Sequence, residues 1–458
     1  MPAKPRAPAR GQAGTKVALG TMFTKWWKTF NYNWAFASIM HVNEPICLYQ
    51  GYMILWAGDE SDRGMGKIVF RWLPSPETRF EMVGTKHSIN HVRAYLEHHE
   101  VEIELPGGYS QKASATLSSN TSIDLAGKES PKYHGVLTRY YDKVKTPKCD
   151  TVEFFLINFR LAQSLKNEEW TIDIELLTQN LKSTFEALEC ERGYAVTHKG
   201  ILRRVNGLPF TLDQANDILY ALYQFYSFIQ GEWSGPILCK GMLDKEITWE
   251  RWGNPNLAPF KSQTGIARSV QFDQSKAFDG FMRMWADIEW KETFILVVYL
   301  YVEANTMSMV EGAIILLQSA LERLAWGIAN SRNKDVTKLH ANERINWLLR
   351  EMGLPTDLPP SLTGLWRYSD MYSSNIQYPD EAKKEGKKLG AYILTYLRNG
   401  IIHPDEKLKR ITSATVDAKW DAERLGLWYV ATILLRLMDY TEEYMSPITW
   451  QTERVLLK

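Results

Sequence analysis

The stretch Val310–Trp326 reads VEGAIILLQSALERLAW and decides the fold class of the C-terminal part of the chain. Apolar residues recur along it with the 3.6-residue period of a helix that buries one face. The stripe consists of Val310, Ala313, Ile314, Leu317, Leu321, Leu324 and Ile328. The sequence therefore predicts a long amphipathic helix here.

Two more stripes with the helical period follow. The first consists of Leu389, Tyr392, Ile393, Tyr396 and Leu397. The second lies in a helix predicted over Ser413–Tyr444 and consists of Trp420, Leu427, Ala431, Leu434 and Met438. The apolar run Phe294–Val302 is too short to span a bilayer and indicates a buried helix, and a shorter helix is predicted near Asn342–Glu351. Residues 277–458 are thus predicted to form an all-α bundle of four or five helices.

Upstream of the bundle the period changes to two, and residues 21–252 are predicted to be β-rich. The segments 66–73 (GKIVFRWL), 151–160 (TVEFFLINFR) and 169–176 (EWTIDIEL) are rich in β-branched and aromatic residues. In the last of these, apolar side chains at Trp170, Ile172, Ile174 and Leu176 alternate with polar ones, as in a half-buried strand. We expect a multidomain α+β protein whose N-terminal region is sandwich-like or jelly-roll-like.

One long helix interrupts the β-rich region near residues 211–230. Thr211 and Gln214 form a capping box, and Gly231 is placed to end the helix. Two further strands are predicted after it, in 236–243 (PILCKGML) and 246–252 (EITWERW). Residues 253–276 are rich in Gly, Pro, Asn and Ser and are predicted to be a linker. Residues 1–20 are predicted to be a disordered basic tail.

Length and charge limit the class of protein. A chain of 458 residues is expected to contain two or three domains. Its formal net charge of +1 argues against a strongly basic nucleic-acid coat, but it leaves room for a local basic cleft. The four cysteines are far apart and form no CxxC pair, which favours reduced thiols in the cytosol. We expect a cytoplasmic protein that does not contact a membrane.

The residues that suggest chemistry lie at the end of the stripe that runs from Leu389 to Leu397, in Tyr396–Pro404 (YLRNGIIHP). Pro404 disfavours helical conformation at His403, so His403 is expected at or just past the helix end. Five helical residues turn through about 500°, which would leave Arg398 and His403 about 140° apart. They would converge only if the helix end unwound or a partner subunit completed the site. Gly400 makes such unwinding less costly.

This set of side chains is suited to cleavage of a phosphodiester. A neutral imidazole at His403 could take a proton from a ribose 2′-hydroxyl and return it to the leaving oxygen. The Arg398 guanidinium could hold the phosphate oxygens as negative charge develops, and Asn399 could orient either group. No metal ion or cofactor is predicted, because no carboxylate cluster stands beside the motif.

The motif and its helical context resemble the HEPN ribonuclease signature, in which an arginine, a polar residue, a short spacer and a histidine occupy a late helix of a bundle. A β-rich N-terminal region followed by such a bundle resembles the ApeA-type anti-phage HEPN nucleases. The resemblance implies a metal-independent endoribonuclease that leaves 2′,3′-cyclic phosphate ends. It also implies a homodimer through the helical domain, and an antiviral, abortive-infection effector. By analogy the N-terminal region would be a sensor or regulator with a phage-derived trigger.

Five alternatives remain open. Arg398 and His403 could simply cap a helix end, or the bundle could be a non-catalytic module for dimerisation or for binding a ligand or protein. Arg93 and His98 show the same spacing in a region predicted to be β-rich. His87 and His91, with the acidic and histidine residues at 97–100, could bind zinc or be exposed polar side chains. Six tryptophans could stack bases or fill the core: Trp26, Trp27, Trp56, Trp72, Trp249 and Trp252.

Overall fold

The structure is a computed structural model. It describes residues 41–57, 60–85, 101–106, 109–113, 118–123, 129–137, 141–178, 180–253, 255–261, 265–268, 271–403 and 408–455. These residues show a mixed α+β protein with a β-rich N-terminal region and a helical C-terminal region, as predicted.

The first sheet has seven strands, all paired antiparallel. They are β1 (Ile46–Ala57), β2 (Glu60–Arg71), β3 (Glu77–Gly84), β4 (Val101–Leu105), β5 (Tyr109–Ala113), β6 (Ser118–Ile123) and β7 (Glu129–Val136). Their order across the sheet is β5-β4-β1-β2-β3-β7-β6. The part β4-β1-β2-β3 has the order of a Greek key, in which a fourth strand returns beside the first.

A second sheet follows along the chain. Its region contains β8 (Tyr141–Val144), β9 (Lys148–Cys149), β10 (Thr151–Ile157), β11 (Leu165–Lys166), β12 (Trp170–Leu176), β13 (Val196–Arg204), β14 (Phe210–Thr211), β15 (Ile237–Leu243) and β16 (Glu246–Trp252). Seven of these form the sheet, in the order β11-β12-β13-β10-β15-β16-β8, while β14 pairs with β9 separately. The predicted strands in 151–160, 169–176, 236–243 and 246–252 are confirmed. The predicted alternation in β12 fails at its end, where Leu176 is 51% exposed.

Charged side chains of alternating sign cross one face of this sheet. They are Glu175, Lys199, Glu153, Lys240 and Glu250, on the successive strands β12, β13, β10, β15 and β16. Lys199 Nζ lies 2.6 Å from Glu153 Oε1. Lys240 and Glu250 are both buried, and burial lowers the pKa of Lys240 while Glu250 and Glu153 raise it. We call this row the charge ladder.

The helices of the central region are α1 (Leu181–Glu191) and α2 (Leu212–Gln230). The predicted capping box is confirmed: Gln214 N donates to Thr211 Oγ1 at 3.3 Å and Thr211 N donates to Gln214 Oε1 at 3.0 Å. Gly231 ends α2 with a left-handed φ of 69°. The helix α1 has no apolar period in the sequence, because only Phe185 and Leu188 are buried in it, and it was not predicted.

The helical region contains α3 (Gln274–Ala286), α4 (Ile288–Thr306), α5 (Val310–Ser331), α6 (Ala341–Glu351), α7 (Thr363–Met371), α8 (Asp380–Lys384), α9 (Gly390–Ile402), α10 (Leu408–Thr412) and α11 (Val416–Leu437). This is more than the four or five helices predicted. The helix predicted over Ser413–Tyr444 is shorter than expected, since Asp439 adopts a φ of 55°. After it a hairpin forms from β17 (Glu443–Met445) and β18 (Thr452–Arg454).

One hydrophobic core connects the second sheet, α2 and the helical bundle. The ring of Phe225 on α2 lies 5.4 Å from that of Phe278 and 5.5 Å from that of Phe281, both on α3. The stretch predicted as a linker contributes Ile266, Ala267 and Phe272 to this core. The second sheet and the bundle are therefore packed as one body.

By length and composition alone, the helix α5 is long and apolar enough to cross a membrane. Its predicted stripe is buried from Ala313 to Ile328, however, and only Val310, at the start of the helix, is half-buried. A core helix of a bundle has the same composition. The packing of α5 is therefore explained by the bundle alone.

Candidate functional site

The helix α9 carries the predicted motif and is held firmly by its apolar face. Its predicted stripe of Leu389, Tyr392, Ile393, Tyr396 and Leu397 is buried throughout. At its first residue, Gly390, a Cβ atom would lie 2.3 Å from Tyr429 Oη of α11. Only glycine allows this close approach. The motif thus projects from a well-packed helix.

The end of α9 agrees with the effect expected of Pro404. The helix continues through Ile402, and His403 leaves it with φ −118° and ψ 91°. The His403 backbone N–H donates to the Asn399 carbonyl oxygen at 3.2 Å. His403 is exposed, so its imidazole is open to a substrate.

Arg398 lies half-buried one turn before this end. Its Nη1 donates to Asn399 Oδ1 at 3.2 Å, while its Nε is buried and has no partner within the described residues. Among the carboxylates that the structure describes, none forms an ion pair with Arg398. The guanidinium is therefore oriented by Asn399 and retains capacity to bind an anion.

The predicted convergence of Arg398 and His403 through unwinding is not observed. Because α9 is helical from Arg398 to Ile402, the two side chains leave the axis about 140° apart. No hydrogen bond joins these two described residues. The sequence allowed Arg398 and His403 to meet either through unwinding of the helix end or through a partner subunit. Since the helix end is not unwound, only a partner subunit could bring this pair together.

A different group of side chains shares the face of His403. Tyr396 precedes His403 by seven residues, which places the two about 20° apart around the helix and about 10 Å apart along it. The guanidinium carbon of Arg410, on α10, lies 4.2 Å from the centre of the Tyr396 ring. Tyr368 Oη donates to the Arg410 carbonyl oxygen at 2.6 Å. The Arg410 guanidinium of α10 is therefore held in a fixed position against this face of α9.

Three tyrosine rings complete this group. The rings of Tyr368 and Tyr372 are 4.8 Å apart, and the ring of Tyr396 lies 6.3 Å from the first and 5.9 Å from the second. Burial raises the pKa of Tyr396, against an opposite effect of Arg410. Tyr372 is half-buried. We call Tyr368, Tyr372, Tyr396 and Arg410 the tyrosine–arginine cluster.

The tyrosine–arginine cluster could not be predicted from the sequence, because its members come from the region of three helices, α7, α9 and α10. Only one signal was present in the sequence, namely the seven-residue spacing of Tyr396 and His403, which puts both on one helical face. The contribution of Tyr368 and Arg410 depends on the packing of α7 and α10 against α9, which local periodicity does not encode.

Several other sequence candidates lie outside the described residues, namely His87, His91, Arg93, His98 and the remaining residues of 97–100, with Trp26 and Trp27. Of the other tryptophans, Trp72, Trp249 and Trp252 are buried in the core. Trp56 is half-buried, with its Nε1 donating to Glu104 Oε2 at 2.9 Å. Within the described part of the chain, no group of three or more His, Cys, Asp or Glu side chains is arranged to hold a metal ion.

Comparison with known proteins adds a family context. Residues 158–263 match the family model of the YopA central domain, and residues 287–456 match that of the YopA C-terminal domain. The SPbeta prophage-derived uncharacterized protein YopA of Bacillus subtilis (strain 168) is 23% identical over 430 residues, covering 88% of this chain and 92% of that protein. No solved structure matches. The resemblance to HEPN nucleases stays a prediction, whereas the chain is similar to YopA proteins over two domains, the second of which contains α9.

Proposed function

We propose that the protein is a metal-independent endoribonuclease with a HEPN-type helical domain, and that Arg398, Asn399 and His403 form its active site. The observation that supports this most is the exposed imidazole at the end of a buried helix, with an oriented guanidinium on the preceding turn. General-base chemistry requires an imidazole that a substrate can reach. Phosphate binding requires a cation that is not already neutralised.

The proposed reaction needs no other reactant. His403 takes the proton of a ribose 2′-hydroxyl, and the 2′-oxygen forms a bond to the adjacent phosphorus. The bond between phosphorus and the 5′-oxygen breaks, and the imidazolium returns the proton to that oxygen. The products are a 2′,3′-cyclic phosphate and a 5′-hydroxyl. Arg398 stabilises the charge on the non-bridging oxygens, and Asn399 holds the guanidinium in place.

The angle of about 140° between Arg398 and His403 around the helix favours a site shared between two copies of the chain. In a symmetric dimer each motif meets its mate across the axis, so that Arg398 of one copy can face His403 of the other. We propose such a homodimer through the helical domain. The similarity to a prophage-derived protein is consistent with a role in conflict between phages and bacteria. In this proposal the β-rich region restrains a cytoplasmic nuclease until a phage-derived trigger appears.

Growth arrest on expression and cleavage of single-stranded RNA by the purified chain test the activity. Arg398→Ala and His403→Ala should each relieve the arrest and lower the cleavage rate by about 10²–10⁴, because each removes a transition-state contact. Arg93→Ala and His98→Ala, which have the same spacing, are the matched controls and should leave both unchanged. Full cleavage by His403→Ala would show that the site is assigned wrongly.

Mixed dimers test whether the site is shared. A dimer of one Arg398→Ala chain and one His403→Ala chain, purified through two different tags, contains one intact shared site and should recover about half of the wild-type rate. If each chain contains its own complete site, the mixed dimer has no intact site. Absence of recovery would therefore reject the dimeric arrangement while leaving the nuclease assignment standing.

A second candidate function is a non-catalytic binding module. It is favoured by the outer face of α4, on which Ile288, Leu296 and Tyr299 are 66%, 44% and 50% exposed. Apolar side chains in such positions are typical of protein interfaces. A chain that arrests growth equally well with His403→Ala, and that yields no cleaved RNA, would favour this function over the nuclease.

A further inference from the structure

The tyrosine–arginine cluster lies on the face of α9 that carries His403, and the proposed cleavage reaction does not use it. Its cation is fixed from two sides: the ring of Tyr396 lies under the guanidinium at 4.2 Å, and Tyr368 holds the backbone of Arg410 at 2.6 Å. A guanidinium held in this way loses little freedom when it binds an anion.

Arg410 also lacks an acidic partner among the residues that the structure describes. The neighbouring Lys409 is exposed, so that α10 carries two adjacent positive charges in its last turn. An oriented cation without a carboxylate is suited to a phosphate group, since the guanidinium can donate two parallel hydrogen bonds to it.

The position of the cluster along α9 indicates which phosphate it meets. The separation of about 10 Å between Tyr396 and His403 along the helix axis is longer than a single phosphate group. Because the Arg410 guanidinium lies over the Tyr396 ring, we expect it to contact a different phosphate from the one on which His403 acts. A neighbouring phosphate of the same strand would reach it.

We propose that the tyrosine–arginine cluster is a nucleotide subsite that binds single-stranded RNA beside the cleaved bond, with Arg410 on a neighbouring phosphate and the half-buried Tyr372 ring stacked on a base. This inference rests on the proposed nuclease function and adds the substrate class. A single strand is required, because its bases are free to stack on a protein ring. Stacking on a ring is tolerant of base identity, so the subsite is expected to accept any base.

The test measures binding separately from cleavage. A fluorescent 12-nucleotide 2′-O-methyl RNA, which lacks the reacting hydroxyl, is titrated with the full chain and its anisotropy is followed. Arg410→Ala should weaken binding about tenfold and make the slope of log affinity against log salt smaller by about 0.7, since one phosphate contact is lost. Arg410→Lys should keep the slope and lose part of the affinity, because the charge remains without the planar fork. Tyr372→Ala should weaken binding without changing the slope.

Lys409→Ala is the matched control, since it removes a positive charge from the adjacent exposed position. The affinity of the Lys409→Ala chain for the 2′-O-methyl RNA, and the salt slope of that affinity, should stay within twofold of the values for the unaltered chain. Equal losses for Lys409→Ala and Arg410→Ala would overturn the subsite in favour of diffuse attraction. Equal affinity of wild type and Arg410→Ala would also overturn it. A duplex of the same length that binds as tightly as the single strand would overturn the substrate class.

Cleavage assays keep the two proposals apart. For an unmodified RNA of the same length, Arg410→Ala should raise KM about tenfold and leave kcat nearly unchanged, since it contacts RNA away from the reacting atoms. A loss confined to kcat would place Arg410 on the scissile phosphate and reject the subsite. If His403→Ala abolishes cleavage while Arg410→Ala binds and cleaves normally, the nuclease stands and the subsite falls. If RNA binds through Arg410 but is never cut, the nuclease falls.

Discussion

Glu423 on α11 is a buried acid that the proposed reaction does not use. It is 7% exposed, and its Oε2 has no hydrogen-bond partner within the described residues. Burial raises the pKa of this carboxyl from 4.5 to about 7, and Arg424 opposes the shift. At neutral pH the folded protein therefore holds a carboxyl group close to its titration point, which makes stability depend on pH.

The sign of this dependence follows from the raised pKa. Below pH 4.5 the carboxyl is protonated in both folded and unfolded chains, and it imposes no electrostatic cost. Between about 4.5 and 7 the unfolded chain loses the proton first, so the free energy of unfolding falls as pH rises. Glu423→Gln should therefore stabilise the protein by about 1–3 kcal/mol at pH 8 and by almost nothing at pH 4.5. Urea unfolding at both pH values measures this, and an equal effect at both would refute it.

At the scale of elements, α7 depends on an acid from another helix. Asp421 of α11 accepts hydrogen bonds from the backbone N–H groups of Gly364 at 2.8 Å and Leu365 at 3.1 Å. The residue before α7, Leu362, has no side chain that could do this. Asp421 thus satisfies two donors at the start of α7, where negative charge is also favourable.

Removal of this acid should loosen α7 and the cluster that it carries. Asp421→Ala should lower the free energy of unfolding by about 2–3 kcal/mol, because two buried donors lose a charged acceptor. Asp421→Asn retains an acceptor oxygen and should lose about half as much. Denaturant unfolding of the two variants measures the difference, and equal losses would show that the cap does not depend on charge. Hydrogen exchange of the Gly364 and Leu365 amides provides a local readout.

The caps of α2 and α7 differ in whether local sequence predicts them. Thr211 and Gln214 cap α2 from within three residues, so local sequence was sufficient to predict that boundary. Asp421 caps α7 from a helix more than fifty residues later, and such a cap depends on tertiary packing. The same distinction holds at the candidate site. Local sequence was sufficient for His403, because Pro404 predicted its position at the helix end. The position of Arg410 beside this face of α9 depends on the packing of α10, which local sequence does not encode.

At the scale of the whole molecule, the second sheet and the helical bundle share their core through α2. The sequence predicted the two regions correctly, because their hydrophobic periods differ. It gave no indication of the common core, since contacts such as Phe225 with Phe278 join residues from different regions. A change at this junction should therefore affect both regions together.

Phe225→Ala should lower the free energy of unfolding by about 3–5 kcal/mol, the usual cost of a large cavity in a core. Pulsed hydrogen exchange with mass spectrometry, read separately for peptides of β10 in the sheet and of α5 in the bundle, should give the same lower denaturant midpoint for both signals. Tyr299→Ala, at a position that is 50% exposed on α4, is the control and should change stability little. Separate midpoints for the two signals would mean that the regions unfold independently.

The charge ladder limits how the second sheet can be assembled. Side chains alternate between the two faces of a strand, so a shift by one residue would exchange the faces. Lys240 and Glu250 would then lie among apolar side chains such as Trp249, without opposite charges across the neighbouring strands. A misaligned sheet would offer α2 no apolar surface to pack on, and only the native alignment of strands leads to the body that carries α9.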